Sequence, residues 1–246
     1  MGRKNIIYGR KVVQEVINSD LEISEIYISK NIKQDKVLKI LEYAKKKCIN
    51  IKSIYSNDMN ILCNYGVHQG IAVRIPEYKY FKINEIINNV DNESDEIVLI
   101  LDSIQDPRNL GSILRTAEIM GIKNIIIPQK RSCDVNNTVW KTSMGAVAHL
   151  NICRANNIPN VILKFKDIGF KIIATSLNTK INLSDINYKY PIVLIIGNEE
   201  TGVDKELLTF CDVKVKIPMY GKIDSFNVSV AAGIIMYEIK NIQSRY

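Results

Sequence analysis

Short apolar runs alternate with stretches of helical periodicity from one end of this chain to the other. Residues 10–18 place Val12, Val13, Val16 and Ile17 on one helical face, and residues 24–30 then alternate as a strand does. Residues 34–48 return to helical spacing through Val37, Leu38, Leu41 and Ala44, and residues 51–55 read as the next strand. A short helix over 57–63 and a strand over 71–75, stopped by Pro76, complete a small α/β unit of about the minimum independent size. Residues 77–96 change character. Asn88, Asn89, Asn92 and a cluster of acids surround a weakly amphipathic segment at Ile83, Ile86 and Ile87, which reads as a linker. A fresh apolar strand at 97–101 opens a second domain, with further strands at 124–127, 150–153, 171–174, 192–196 and 213–217 separated by helical or turn-rich segments. That alternation predicts an α/β fold: a mostly parallel sheet covered by helices over 97–246, after a small α/β domain over 1–76.

The stretch 191–203 organises the second domain. An unbroken apolar run, Ile192 to Ile196, ends in Gly197-Asn198-Glu199-Glu200, the form of a strand buried on both faces that delivers polar groups at its carboxyl end. Open α/β sheets bind ligands at that end. The stretches 97–115 and 213–231 repeat the pattern of apolar strand, polar turn and helix.

Composition narrows the class without changing this picture. The chain of 246 residues is 46% hydrophobic and 24% charged, ordinary for a folded globular protein of up to two modest domains. No apolar run approaches the roughly 20 residues of a membrane span, and the first residues lack a signal-peptide core, so a cytoplasmic protein with no membrane partner is expected. The five cysteines (Cys48, Cys63, Cys133, Cys153, Cys211) include no CxxC pair, which predicts reduced, buried thiols and no metal site. The net charge of +7 is uneven: residues 1–76 hold 13 Lys and Arg against 7 Asp and Glu, whereas 77–96 hold 2 against 6. A basic first domain, with Arg3, Lys4, Arg10, Lys11 and the run Lys45-Lys46-Lys47, suits a phosphate-bearing partner, although the lysine run alone also reads as a solvated helix face.

Each of the three loops offers candidate chemistry. In 102–117, either Asp106 caps a helix with Pro107 at its first position or Asn109 caps it one turn later. Leu110, Ile113, Leu114 and Ala117 then form the buried stripe, with Gly111, Ser112 and Arg115 on another face. Arg115, a turn to a turn and a half inside the helix, either reaches the polar end of the sheet or pairs with Glu118. In 197–203, a glutamate either accepts hydrogen bonds from a guanidinium or hydroxyl or caps the helix that begins near Asp204. The Gly197 and Gly202 spacing is followed by Val203-Asp204, not Lys-Ser/Thr, which excludes a nucleoside-triphosphate loop, and no GxGxxG supports a dinucleotide site. In 217–231, Ser225 or Asn227 caps the last helix, and the excess of polar residues beside Pro218 and Gly221 marks a ligand loop.

Taken together, DPRNLGSILRTAE, IIGNEETGV and IPMYGKIDSFNVSVA resemble, in order and spacing, the three motifs of the SpoU (TrmH-like) branch of the SPOUT RNA methyltransferases. The segment Val67-His68-Gln69-Gly70-Ile71 resembles the close of the L30e-like substrate-binding domain of the ribosomal RNA subgroup, so the likeness covers nearly the whole chain. The resemblance implies an S-adenosylmethionine-dependent 2′-O-methyltransferase with a C-terminal trefoil knot, acting on a guanosine of large-subunit (23S) ribosomal RNA as a homodimer, with no DNA partner. A transfer-RNA 2′-O-methyltransferase and a non-catalytic RNA-binding ribosome-assembly protein are the alternatives. By motif position, Gly197, Ile217, Phe226, Met219 and Thr175 are implied at the cofactor, and Arg115, Asn109, Glu199, Ser225 and Asn227 at the reaction, Glu199 holding Arg115 or the knot loop. Glu200 stands where the family often has glycine, and Phe226 replaces a common leucine. His68, Trp140 and His149 read as structural, His68 alternatively as an RNA contact.

Overall fold

The computed structural model describes residues 5–33, 35, 37–91 and 94–244, so Arg3, Lys4, Gln34 and Asn92 lie outside the described residues. The chain divides into two compact units. In the first, strands β1 (Asn5–Tyr8), β2 (Glu25–Ser29), β3 (Ile51–Ile54) and β4 (Ile71–Ile75) form a sheet of order β1-β4-β2-β3. Helices α1 (Arg10–Asn18), α2 (Leu38–Lys46) and α3 (Ser56–Leu62) accompany it. Val12, Val13, Val16 and Ile17 of α1 are buried, as their spacing requires.

A polar cluster crosses this sheet. The buried Glu25 carboxylate receives the Tyr27 hydroxyl, Lys52 Nζ at 2.5 Å and Arg74 Nη1 at 3.3 Å. The Lys52 contact, then that of Tyr27, holds the Glu25 carboxyl below the ordinary glutamate value, while burial and the hydrogen bond to Glu25 push Tyr27 up to about 12. A lowered folded-state value means that Glu25 stabilises the fold above its unfolded pKa of about 4.3 and loses that contribution as pH falls through the folded value. Glu25→Gln is expected to cost about 2 kcal/mol at neutral pH, because two cations lose a charged acceptor. Thermal melts from pH 7 downward check this: the gap between wild type and variant closes on acidification, and a gap independent of pH contradicts the assignment.

The second unit carries a six-stranded sheet of β5 (Ile97–Leu101), β6 (Asn124–Pro128), β7 (Asn151–Ala155), β8 (Lys171–Thr175), β9 (Ile192–Ile196) and β10 (Val213–Val215). Its order is β10-β8-β9-β5-β6-β7 and every pairing is parallel. The helices of this unit are α4 (Ile83–Asn89), α5 (Pro107–Ile119), α7 (Ile158–Asp167), α8 (Lys205–Thr209) and α9 (Val228–Ser244), with α6 (Asn137–Thr142) in the other unit. Val98, Ile100, Ile126, Ile172, Val193 and Ile195 form one core with Ile86 of α4, Phe165 of α7 and Leu207 of α8. The alternate positions Leu99, Ile125, Ile173 and Leu194 are also fully buried, so the central strands are covered on both faces. Helices α5 and α9 pack against each other.

Two features depart from the sequence reading. Residues 77–96 are not simply a connecting segment: α4 forms there, packs on β7, and buries Ile86 in the sheet core. Residues 135–149, which the periodicity places inside the second domain, pack with the first unit. Trp140 of α6 is buried there against Tyr78, and His149 pairs with Glu15 at 3.1 Å. Among the thiols, Cys63 and Cys153 are buried and Cys211 half-buried, and burial pushes each up to about 11. Cys48 is exposed, contrary to expectation, because it follows the end of α2.

Candidate active site

The connections locate a crevice before any side chain is considered. From β5 the chain runs through α5 to β6 on one side, and from β9 through α8 to β10 on the other. Strands β5 and β9 are neighbours paired from Ile97–Ile192 to Leu101–Ile196, so their carboxyl ends lie level and send the chain apart. Such a switch point is where a parallel sheet opens a ligand crevice.

Backbone packing shapes one wall. The Asn198 carboxamide accepts from the backbone N–H of Glu200 (3.0 Å) and Thr201 (2.8 Å), curling 198–202 so that Gly202, at φ 68°, returns toward Gly197. A Cβ on Gly197 would lie 2.0 Å from the Gly202 carbonyl carbon and 2.1 Å from the Val203 nitrogen, so only glycine fits. The buried Asp102, just after β5, accepts from the Asp204 N–H at 2.8 Å and from the Ser103 hydroxyl at 2.9 Å, tying the β5 and β9 turns together. Sequence reading missed Asp102; an acid directly after an apolar strand was the available signal.

A cavity of about 300 Å³ lies beside this turn. Thr175, Gly197, Glu199, Ile217, Met219, Ser225 and Phe226 all line it, which brings together residues from β8, the β9 turn and the loop before α9. Leu183, Val215, Ala231 and Ile235 add apolar wall that sequence reading had not assigned. The Tyr188 hydroxyl, donating to the Leu183 carbonyl at 2.8 Å, fixes that wall from behind.

The polar candidates form a chain that begins at the lining residue Glu199 and continues through Asn109 and Asn227, neither of which lines the cavity. Asn109 Nδ2 donates to Glu199 Oε1, and Asn227 Nδ2 donates to Asn109 Oδ1 at 3.1 Å. Asn227 Oδ1 in turn accepts from Ser229 N–H at 3.0 Å, so Asn227, not Ser225, caps α9. Asp106 caps α5 through the Arg108 N–H at 2.8 Å, with Pro107 first in the helix. Arg115 therefore sits about two turns in, deeper than the spacing argument placed it, and Gly111 joins the buried stripe. Arg115 is exposed, forms no ion pair with Glu118 or hydrogen bond with any described residue, and lies outside the cavity lining. Glu199 holds Asn109, not Arg115. Helix α8 is capped by Asp204, whose side chain accepts from the Glu206 N–H at 2.8 Å, which leaves Glu199 without a capping role. In the first unit, His68 Nδ1 accepts from the Gly70 N–H at 2.9 Å while its Nε2 meets Asn60 at 3.0 Å, a bracing role. Among the described residues no cluster of His, Cys, Asp or Glu could hold a metal ion, and no helix is long and apolar enough to cross a membrane.

A cavity at the switch point of a parallel sheet, with a lining carboxylate joined to two carboxamides from α5 and the start of α9, has the form of a ligand-binding site in an α/β protein. Residues 96–237 match the SpoU rRNA methylase family model, and residues 6–81 match the model for RNA 2′-O ribose methyltransferase substrate binding. A Staphylococcus aureus protein assigned by name to the TrmH family of tRNA/rRNA methyltransferases is 36% identical over 235 residues, 95% of this chain and 94% of its own. The chain belongs to the SpoU rRNA methylase family. The same fold occurs in an AdoMet-bound rRNA methyltransferase from Sinorhizobium meliloti (TM-score 0.83, 24% identity, 97% of this chain and 87% of that one). It recurs in the SpoU methyltransferase AviRb from Streptomyces viridochromogenes in complex with AdoMet (TM-score 0.84, 19% identity, 99% and 92%).

Proposed function

We propose that this protein methylates the 2′-oxygen of a guanosine ribose in large-subunit (23S) ribosomal RNA, using S-adenosylmethionine. The observation that carries the reading is the cavity whose wall requires Gly197 and whose lining Glu199 holds Asn109, which Asn227 holds in turn. The residues fit that cofactor: backbone from two loops closes the space, Ile217 and Phe226 offer apolar walls to an adenine, and Thr175 and Met219 stand beside them. When bound, S-adenosylmethionine supplies an electrophilic methyl group on a sulfonium sulfur. Trefoil threading of the chain beyond β10 and a cytoplasmic, RNA-bound working form are part of this reading, as is a basic RNA-holding domain over 1–76 ahead of the catalytic one.

The chain's own contribution is orientation and charge. With both ends of its carboxamide held, Asn109 has a fixed flip state and presents a rigid edge to the ribose, and Ser225 is free to complete that contact. A guanidinium offers donors and no acceptor, so Arg115 stabilises the developing 2′-oxyanion or grips the adjoining phosphate. It lies about 120° around α5 from Asn109, away from its own cavity. A homodimer resolves this by presenting Arg115 to the partner's cavity. The exposed Val230, Ile234 and Tyr237 of α9, beside an open groove lined by Leu183, Pro218 and Gly233, offer the apolar face such a dimer needs.

Unmodified transcripts of large-subunit rRNA and of tRNA, offered together with methyl-labelled S-adenosylmethionine, test the substrate. Label in rRNA is the expected result. Label confined to tRNA moves the substrate and keeps the chemistry, a reading that the tRNA/rRNA name of the relatives keeps open. Cofactor affinity without transfer to either class contradicts the proposal.

A further inference from the structure

The carboxyl edge of the second sheet carries charges that the methyl-transfer site leaves unused. On its β5–β6 side the acids are engaged internally: Asp106 caps α5, Asp102 accepts from Ser103 and Asp204, and Asp134 is paired with Arg154 at 2.6 Å. Three cations there are not. Arg108, at the start of α5, and Lys130 and Arg131, just past β6, are exposed, and their side chains form no ion pair or hydrogen bond with any described residue.

The turn bearing Lys130 and Arg131 is held in a costly shape. Arg131 has φ 61°, a left-handed conformation that a side chain disfavours. Arg154 fixes the turn from beneath, donating from Nη2 to the Gln129 carbonyl at 2.7 Å and pairing through Nη1 with Asp134. The Gln129 N–H donates to the Ala155 carbonyl at 2.8 Å, anchoring the turn to β7. The Cys133 N–H donates to the Ile104 carbonyl at 2.8 Å, anchoring it to the loop that leads into Asp106, Arg108 and Asn109. Strands β5 and β6 are adjacent, so the turn stands about 5 Å, one strand spacing, to the side of the β5 loop. Unpaired cations on a turn whose backbone is braced, beside a polar site, are suited to an anion held at one place.

We propose that Arg108, Lys130 and Arg131 form a phosphate clamp that grips the RNA backbone beside the target ribose, on the β6 side of the crevice. The clamp rests on the RNA-methyltransferase reading for the identity of its anion. It sets where the RNA strand lies and so which ribose reaches Asn109.

The test uses the full-length protein and a fluorescein-labelled RNA hairpin with an unpaired loop, its Kd followed by anisotropy from about 50 to 300 mM KCl. The double variant K130A/R131A is expected to bind about tenfold more weakly at ~0.1 M salt, with the log–log salt slope reduced by roughly 1.5 to 2. K130R/R131K should keep the wild-type slope. Lys123→Ala, at the amino end of the same strand and about 17 Å from Pro128 at its carboxyl end, should also keep it. S-adenosylhomocysteine affinity, measured in parallel, should be equal in all four proteins and so report an intact fold. An unchanged slope in K130A/R131A, an equal loss in K123A, or an equal loss in the charge-keeping variant each overturns the clamp. A wild type that shows the clamp-dependent slope yet transfers no methyl group upholds the clamp and sinks the methyltransferase reading.

Discussion

Gly197→Ala is expected to abolish measurable S-adenosylmethionine binding, a loss of at least 100-fold, and with it all methyl transfer. The added methyl would meet the Gly202 and Val203 backbone at 2.0–2.2 Å, and backbone cannot swing aside as a flexible side chain can. The 198–202 turn must therefore leave its position, taking the cavity wall with it. Overpacking of this kind costs about 1–3 kcal/mol, so the melting temperature should fall by roughly 5 °C while the sheet persists. Gly221 is the control: it lies in the loop before α9, no atom lies within 4 Å of an added Cβ, and Gly221→Ala should bind cofactor as wild type does. Calorimetric titration of both variants decides it, and normal binding by Gly197→Ala would contradict the placement of the cofactor.

Arg115→Ala is expected to lower kcat by about 10²- to 10³-fold with cofactor affinity unchanged, the usual cost of removing one donor to a developing oxyanion. Arg115→Lys should recover little, because an ammonium lacks the planar fork of a guanidinium. Full recovery with an unchanged pH profile would rule out a specific guanidinium role. The dimer reading adds a sharper consequence. Thr175→Arg fills the cavity from the end of β8, so it should bind no cofactor. Mixed with Arg115→Ala and allowed to exchange subunits, two inactive proteins should yield about a quarter of wild-type activity, since half the dimers then hold one intact site in two. No recovery on mixing would place Arg115 in its own subunit's site.

Most of the second sheet could be read from sequence because its central strands are covered on both faces and so appear as continuous runs of Ile, Val and Leu. The first two loops were legible for a related reason: each follows such a run, where polar residues have no structural duty in a core, whereas the third follows the half-buried edge strand β10 and shows only in its own polar excess. What escaped depends on distance along the chain. The contact between Asn109 and Glu199 spans 90 residues, and only the β5–β9 pairing makes it. The packing of 135–149 with the first unit is equally invisible to the local pattern, which marks Trp140 and His149 as structural but not against what. Strand β1 was missed because four residues beside a polar start carry too little pattern. The depth of Arg115 turned on which of two good capping residues starts α5, a choice that local sequence left open and that the hydrogen bond from the Arg108 N–H to Asp106 settles.

The clamp and the active site are separable in experiment. Loss of Lys130 and Arg131 weakens RNA affinity and leaves cofactor binding intact. Loss of Gly197 does the reverse.

The central claim is that the cavity at the β5–β9 switch point serves methyl transfer to a ribose oxygen. Its most direct test is the product. Large-subunit rRNA lacking its ribose methyl groups, treated with the enzyme and methyl-labelled S-adenosylmethionine, is digested in alkali, which cleaves beside every free 2′-hydroxyl. Recovery of the label in an alkali-resistant dinucleotide headed by guanosine, absent with Arg115→Ala, is the predicted result. Label released in single nucleotides would place the methyl group on a base and contradict the account.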